Sequence, residues 1–176
     1  QTYSIWQGSD VNLEERLNKA EQQLSGKFSL ANAIQEFLPP RPLVCKKHSY
    51  VTGTVRFFEV RYLDVTTIDQ VDLSPSQNAS GILFICLPFN KVDQDTFVRW
   101  STSSEIADKK NIVVGVAANI SRLKDLIFEV RCLDWVNKNT PELMGDIVAK
   151  RELRTRIFEI TNLIKQYLDQ TLDFSH

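Results

Sequence analysis

The sequence predicts an α/β fold: a small, mainly parallel sheet with strands near 55–63, 81–87 and 111–117, covered by helices and followed by a long C-terminal helix. Three observations carry this. Residues 81–87 and 111–117 are short, nearly continuous apolar runs, the pattern of strands covered on both faces. Between them, 91–102 reads as a helix, and strand–helix–strand order implies parallel strands joined by a right-handed crossover. Beyond the second run, Ile120, Leu123, Ile127, Val130, Leu133 and Val136 recur three and four residues apart, which makes 121–137 a helix laid on that sheet.

The elements follow in order. Tyr3 to Trp6 reads as a short strand, and Gly8-Ser9-Asp10 turns into a helix on which Val11, Leu13, Leu17, Ala20 and Leu24 keep helical spacing, with Ser9 or Asp10 as N-cap. A second helix, 29–38, begins at the capping residue Ser29 and stops before Pro39-Pro40, because a residue preceding proline is pushed out of the α region. The Pro39-Pro40-Arg41-Pro42 stretch is a stiff connector. Residues 55–63 are rich in β-branched and aromatic side chains, with Phe58, Val60 and Tyr62 on one face and Val55, Phe57, Glu59 and Arg61 on the other. Pro88 ends the next strand, and Asn139-Thr140-Pro141 ends the helix after the third. In the last helix, 147–172, Leu153, Ile157, Ile160, Ile164, Leu168 and Leu172 form one apolar stripe. At ~1.5 Å per residue it spans roughly 39 Å, so the stripe either folds back along 121–137 into the core or offers a surface to another chain or domain. The words Phe58-Glu59-Val60-Arg61 and Phe128-Glu129-Val130-Arg131 repeat, but their flanks read as strand and helix, so they are not copies of one module.

A chain of 176 residues suits a single domain spanning 1–176, long enough to bury roughly 70% of the surface its unfolded form exposes. Apolar residues at 43% and charged residues at 24% exclude a disordered or fibrous class. The net charge of −1, from 21 Lys and Arg against 22 Asp and Glu, gives no overall field to gather nucleic acid or anionic lipid. The longest apolar run, 82–87, falls far short of the ~20 residues that cross a bilayer, and no signal-peptide pattern opens the chain. Cys45, Cys86 and Cys132 are widely spaced and odd in number, as expected of reduced thiols in a cytoplasmic protein. Cys86 and Cys132 fall in apolar stretches and read as small core residues.

Histidine supplies most general bases and many metal ligands, and of the two here His176 is the last residue. His48 is therefore the serious candidate, three residues after Cys45, but no second pair of ligands completes a zinc site. No catalytic residue, cofactor site or metal ligand is assigned. Gly26-Lys27 has no glycine five residues before it and precedes Phe28, so it is no Walker A loop. Glu59-Val60-Arg61 carries arginine where Glu-x-Lys nuclease sites place lysine, and Glu59 reads instead as an ion-pair partner. Arg41, Lys46, Lys47, His48, Arg56 and Arg61 gather in one segment as a possible phosphate or nucleic-acid contact. The bland reading is a solvated face balanced by Glu59 and Asp64, and strand alternation sets Arg56 and Arg61 on opposite faces.

Three segments together carry a family resemblance: Trp6-Gln7-Gly8-Ser9-Asp10 before a helix; Pro42-Leu43-Val44 leading through His48-Ser49-Tyr50-Val51-Thr52-Gly53-Thr54 into Arg56-Phe57-Phe58-Glu59-Val60-Arg61-Tyr62; and Asn139-Thr140-Pro141-Glu142-Leu143 before Lys150-Arg151-Glu152-Leu153. The chain resembles an internal region of very large bacterial ATPase-like proteins found with bacteriophage-exclusion (BREX-type) defence systems, over almost its whole length. The resemblance implies a nucleotide site elsewhere in the parent polypeptide, with this piece transmitting or receiving its conformational change. The first expectation is thus a non-catalytic interaction or regulatory module whose partners are other domains of the parent polypeptide or other proteins. The alternatives are a nucleic-acid-binding module using the strip at 41–61, and an enzyme with a site near His48.

Overall fold

The computed structural model describes residues 11–118 and 120–171. They form two compact units, one made of the N-terminal residues to Phe28 together with the chain from Asp125 onward, the other of Ser29–Lys124. The expected strand at Tyr3 to Trp6, the caps Ser9 and Asp10, and Leu172 lie outside the described residues.

The unit Ser29–Lys124 holds the sheet. Its strands are β1 (Leu43–Val44), β2 (Phe57–Leu63), β3 (Gly81–Cys86) and β4 (Ile112–Val116), in the spatial order β1-β2-β3-β4. β2, β3 and β4 run parallel, while β1 pairs antiparallel with β2. The parallel α/β sheet is as the apolar runs require, with each strand a residue or two shorter than its run. In register, Glu59, Arg61 and Leu63 lie beside Ile82, Phe84 and Cys86, and the latter three lie beside Ile112, Val114 and Val116. That face buries Leu63, Ile82, Phe84 and Cys86 against Ile68 and Phe97. Phe97 belongs to the crossover helix Lys91–Ser101, whose Trp100 ring meets Phe84 edge-on at 5.6 Å.

Two short helices precede and follow β1. Helix α2 (Leu30–Ala33) is capped by Ser29, which accepts from the Asn32 amide at 3.3 Å, and it tightens into a 3-10 turn at Ile34–Glu36 before the prolines. Helix α3 (Lys46–Thr52) lies between β1 and β2, in a stretch to which the sequence pattern assigns no element. It ends because Gly53 takes a left-handed φ of 69°, the conformation that closes helices and that glycine adopts without penalty.

In the other unit, α1 (Leu13–Leu24) is capped by Asn12, whose side chain accepts from the Glu15 amide at 3.2 Å. Helix α6 (Ser121–Asn139) is broken at Thr140-Pro141, and α7 (Ile147–Thr171) follows. Helices α4 (Lys91–Ser101) and α5 (Ser104–Ala107) belong to the unit that holds the sheet. Arg156 of α7 donates twice to Glu129 of α6, at 2.7 and 3.1 Å, so the terminal helix folds back along α6. Its stripe of Leu153, Ile160, Ile164 and Leu168 is buried, whereas Ile157 is only half-buried. The stripe therefore belongs to the core. Ile164→Ala is expected to cost about 3 kcal/mol, the usual price of a truncated, fully buried isoleucine, and Ile157→Ala distinctly less; urea denaturation of the two variants checks the order.

Candidate functional site

Between Glu36 and Glu59 the chain carries Arg41, Lys46, Lys47 and Arg56 and no acidic residue. All four cations are exposed. The antiparallel pairing of β1 with β2 draws them into one local element, since the Cys45 amide donates to the Arg56 carbonyl at 2.9 Å and so sets Arg56 beside the start of α3. On α3, positions four apart share a face. Lys46 shares its face with Tyr50 and Lys47 with Val51, all exposed, while His48 lies half-buried and offers its carbonyl to the Thr52 hydroxyl at 2.9 Å.

The same element exposes apolar side chains. Tyr50 is 89% exposed, Val51 79% and Val55 69%, with Leu43 and Val44 close to half. Scattered exposed apolar residues are ordinary; five within thirteen positions, interleaved with cations, exceed such scatter and single out this element as a candidate interaction surface. Sequence reasoning singled out the cations and missed these five. The available signal was that residues 43–55 hold apolar side chains at neither strand nor helix period, so no single face of one element could bury them all.

Arg61 does not join the strip. Its Nε donates to Glu59 Oε1 at 2.9 Å, its Nη1 to the Asp72 carbonyl at 2.6 Å and its Nη2 to the Ser74 carbonyl at 3.1 Å, while Glu59 Oε2 accepts from the Ser76 amide at 3.0 Å. The hydrogen bond from Arg61 holds the Glu59 carboxyl below its ordinary pKa, against a smaller upward push from burial. The pair therefore lies along one strand rather than across two, and its work is to fasten the β2–β3 connection, which among its described residues has a 3-10 turn at Ile68–Gln70 and no α-helix. Arg61→Ala should cost about 2 kcal/mol, since hydrogen bonds to a charged group are worth more than neutral ones. Hydrogen exchange at 72–80 should rise selectively in that variant.

Other groups with chemical potential are occupied in the fold. Asp64, at the end of β2, is fully buried; its Oδ2 accepts from Ser29 Oγ at 2.7 Å and from the Ala31 amide at 2.9 Å, and its Oδ1 from the Thr66 amide and hydroxyl. Burial raises the pKa of Cys86 to about 12, and burial reinforced by Glu21 and Glu129 raises that of Cys132 to about 11, which keeps both thiols protonated and unreactive. Among the described residues, no three His, Cys, Asp or Glu side chains gather closely enough to hold a metal ion. No described helix is long and apolar enough to cross a membrane. No protein-family model, curated protein or solved structure matches the chain.

Proposed function

We propose that this chain is a non-catalytic α/β interaction module, cytoplasmic, working as part of a larger bacterial ATPase-like protein of the phage-defence type that its motifs resemble, and that the element Arg41 to Arg56 is its contact surface. The observation that carries this reading is the exposed mixture on that element: Tyr50, Val51 and Val55 among Lys46, Lys47 and Arg56. Apolar groups at the centre with charge around them are the anatomy of a protein contact. A nucleic-acid reading rests on the four cations alone, and a site at His48 rests on a half-buried imidazole.

Photo-cross-linking tests it. A benzophenone amino acid in place of Tyr50, in the native polypeptide, should give a discrete protein cross-link on irradiation, and the same group in place of exposed Gln77 should give none. If position 50 yields no protein adduct, the module reading fails.

A further inference from the structure

We propose that the occupant of the Arg41 to Arg56 surface is an acidic amphipathic helix from a protein partner; this rests on the interaction-module reading. Charge sets the sign of the partner. The chain as a whole is at −1, yet this stretch holds four exposed cations and no acid between Glu36 and Glu59, so every charged side chain the stretch itself offers to an approaching segment is positive, and acidic partners are favoured.

The apolar groups set its class. Leu43, Val44, Val51 and Val55 are aliphatic, with Tyr50 the single aromatic ring of the exposed set in this element. Single-stranded nucleic acid is held by aromatic platforms on which bases stack, whereas exposed aliphatic side chains are covered by aliphatic side chains. The field of the whole chain, close to neutral, also gives no long-range attraction for a polyanion.

The sheet edge sets its conformation. Leu43 pairs with Phe58 and Val44 with Phe57, and the Cys45 amide bonds to the Arg56 carbonyl. By antiparallel alternation, Leu43 and Cys45 turn their backbone groups toward β2, while Pro42 and Val44 turn theirs outward. Pro42 has no N–H to give, and Pro39 and Pro40 precede it. An edge so guarded cannot template an added strand. Recognition therefore runs through side chains, and a helix laid against Tyr50, Val51 and Val55 with acidic flanks beside Lys46, Lys47 and Arg56 meets that condition.

The test is fluorescence anisotropy with the whole chain and a labelled synthetic helix of about five turns carrying leucines on one face and glutamates on its flanks. Three comparison probes are a Leu→Ser version of that helix, poly-glutamate, and a single-stranded oligonucleotide. Binding of the leucine-bearing helix is expected, weakened about tenfold or more by Leu→Ser in the peptide. Lys46→Glu with Lys47→Glu, and separately Tyr50→Ser with Val51→Ser, should each weaken it about tenfold at unchanged melting temperature, as exposed substitutions leave the fold intact. Equal binding of the Leu→Ser helix, of poly-glutamate or of the oligonucleotide overturns the proposal in favour of a general polyanion surface, and no binding of the leucine-bearing helix overturns it outright. A protein cross-link at position 50 beside either negative result removes the acidic-helix partner while the module reading stands; loss of that cross-link removes the module reading itself.

Discussion

Asp64→Ala is expected to lower stability by about 4 kcal/mol, which in a chain of this length corresponds to a melting temperature reduced by roughly 8–16 °C. The carboxylate is fully buried and accepts hydrogen bonds from Ser29 Oγ, the Ala31 amide and the Thr66 amide and hydroxyl. Its removal leaves the buried Ala31 amide without its acceptor, at ~1–3 kcal/mol for an unsatisfied buried donor. It also takes away the charged acceptor of Ser29 Oγ and of exposed Thr66, each such bond to a charged group being worth about 1.5–3 kcal/mol before water replaces part of it. The same geometry fixes the behaviour in acid. Burial pushes the carboxyl pKa up, but the donors of Thr66, Ala31 and Ser29 together outweigh it and hold Asp64 below its ordinary value of 3.8. A carboxylate whose folded pKa is depressed contributes stability that is fully present above its unfolded value and is lost as pH falls through the folded one. Stability should therefore be level from pH 7 to about 5 and decline below ~4. Asp64→Asn removes the charge but keeps the volume, and it sets an NH2 against donors, so it too is destabilised at pH 7. Its acid limb should be shallower than that of the wild type, leaving Glu59, also depressed by its hydrogen bond from Arg61, as a remaining contributor. Urea denaturation at stepwise pH measures both. An Asp64→Asn curve parallel to the wild type at every pH would show that the buried carboxylate is not the group responsible.

The repeated word Phe-Glu-Val-Arg shows why parts of this fold were legible and others were not. At 58–61 it lies in β2, where residues two apart point the same way, and Glu59 meets Arg61 at 2.9 Å. At 128–131 it lies in α6, where residues two apart point about 200° from each other, and Glu129 bonds instead to Arg156 of α7 at 2.7 Å. Periodicity over the flanks distinguished the two settings. The partner of Glu129, 27 positions away, is a tertiary fact that no local pattern contains. Ser29 was readable as a cap because its hydroxyl meets the Asn32 amide three residues on. Its second bond, to Asp64, was not, because the two residues are 35 apart. Helix α3 escaped for another reason: Lys46–Thr52 is under two turns long, has no apolar stripe and rests on a glycine stop, so it left no period to find. The candidate surface shares that obscurity, since the exposure of Tyr50 and Val51 follows from a helix the sequence did not announce.

Gly81→Ala is expected to be the most disruptive single-methyl addition in the sheet. Gly81 opens β3, is buried, and pairs in register with Phe58 of β2. A Cβ built on it would meet the Asn111 carbonyl oxygen at an impossible separation and stand 2.5 Å from Phe58 Cε1. The ring could swing aside, but the carbonyl cannot: it accepts the Ile82 amide at 2.9 Å and thereby fixes the start of the β3–β4 ladder. Relief requires the strands to separate where pairing begins, so the cost exceeds the usual 1–3 kcal/mol of an overpacked core and should reach about 4 kcal/mol. The prediction concerns space rather than backbone freedom, because Gly81 has no left-handed φ. Phe58→Leu in the Gly81→Ala background should consequently recover only the part of the loss due to the ring, leaving the carbonyl contact in place. Thermal unfolding of the single and double variants measures that share. Full recovery by Phe58→Leu would show that the ring alone excludes a side chain at position 81.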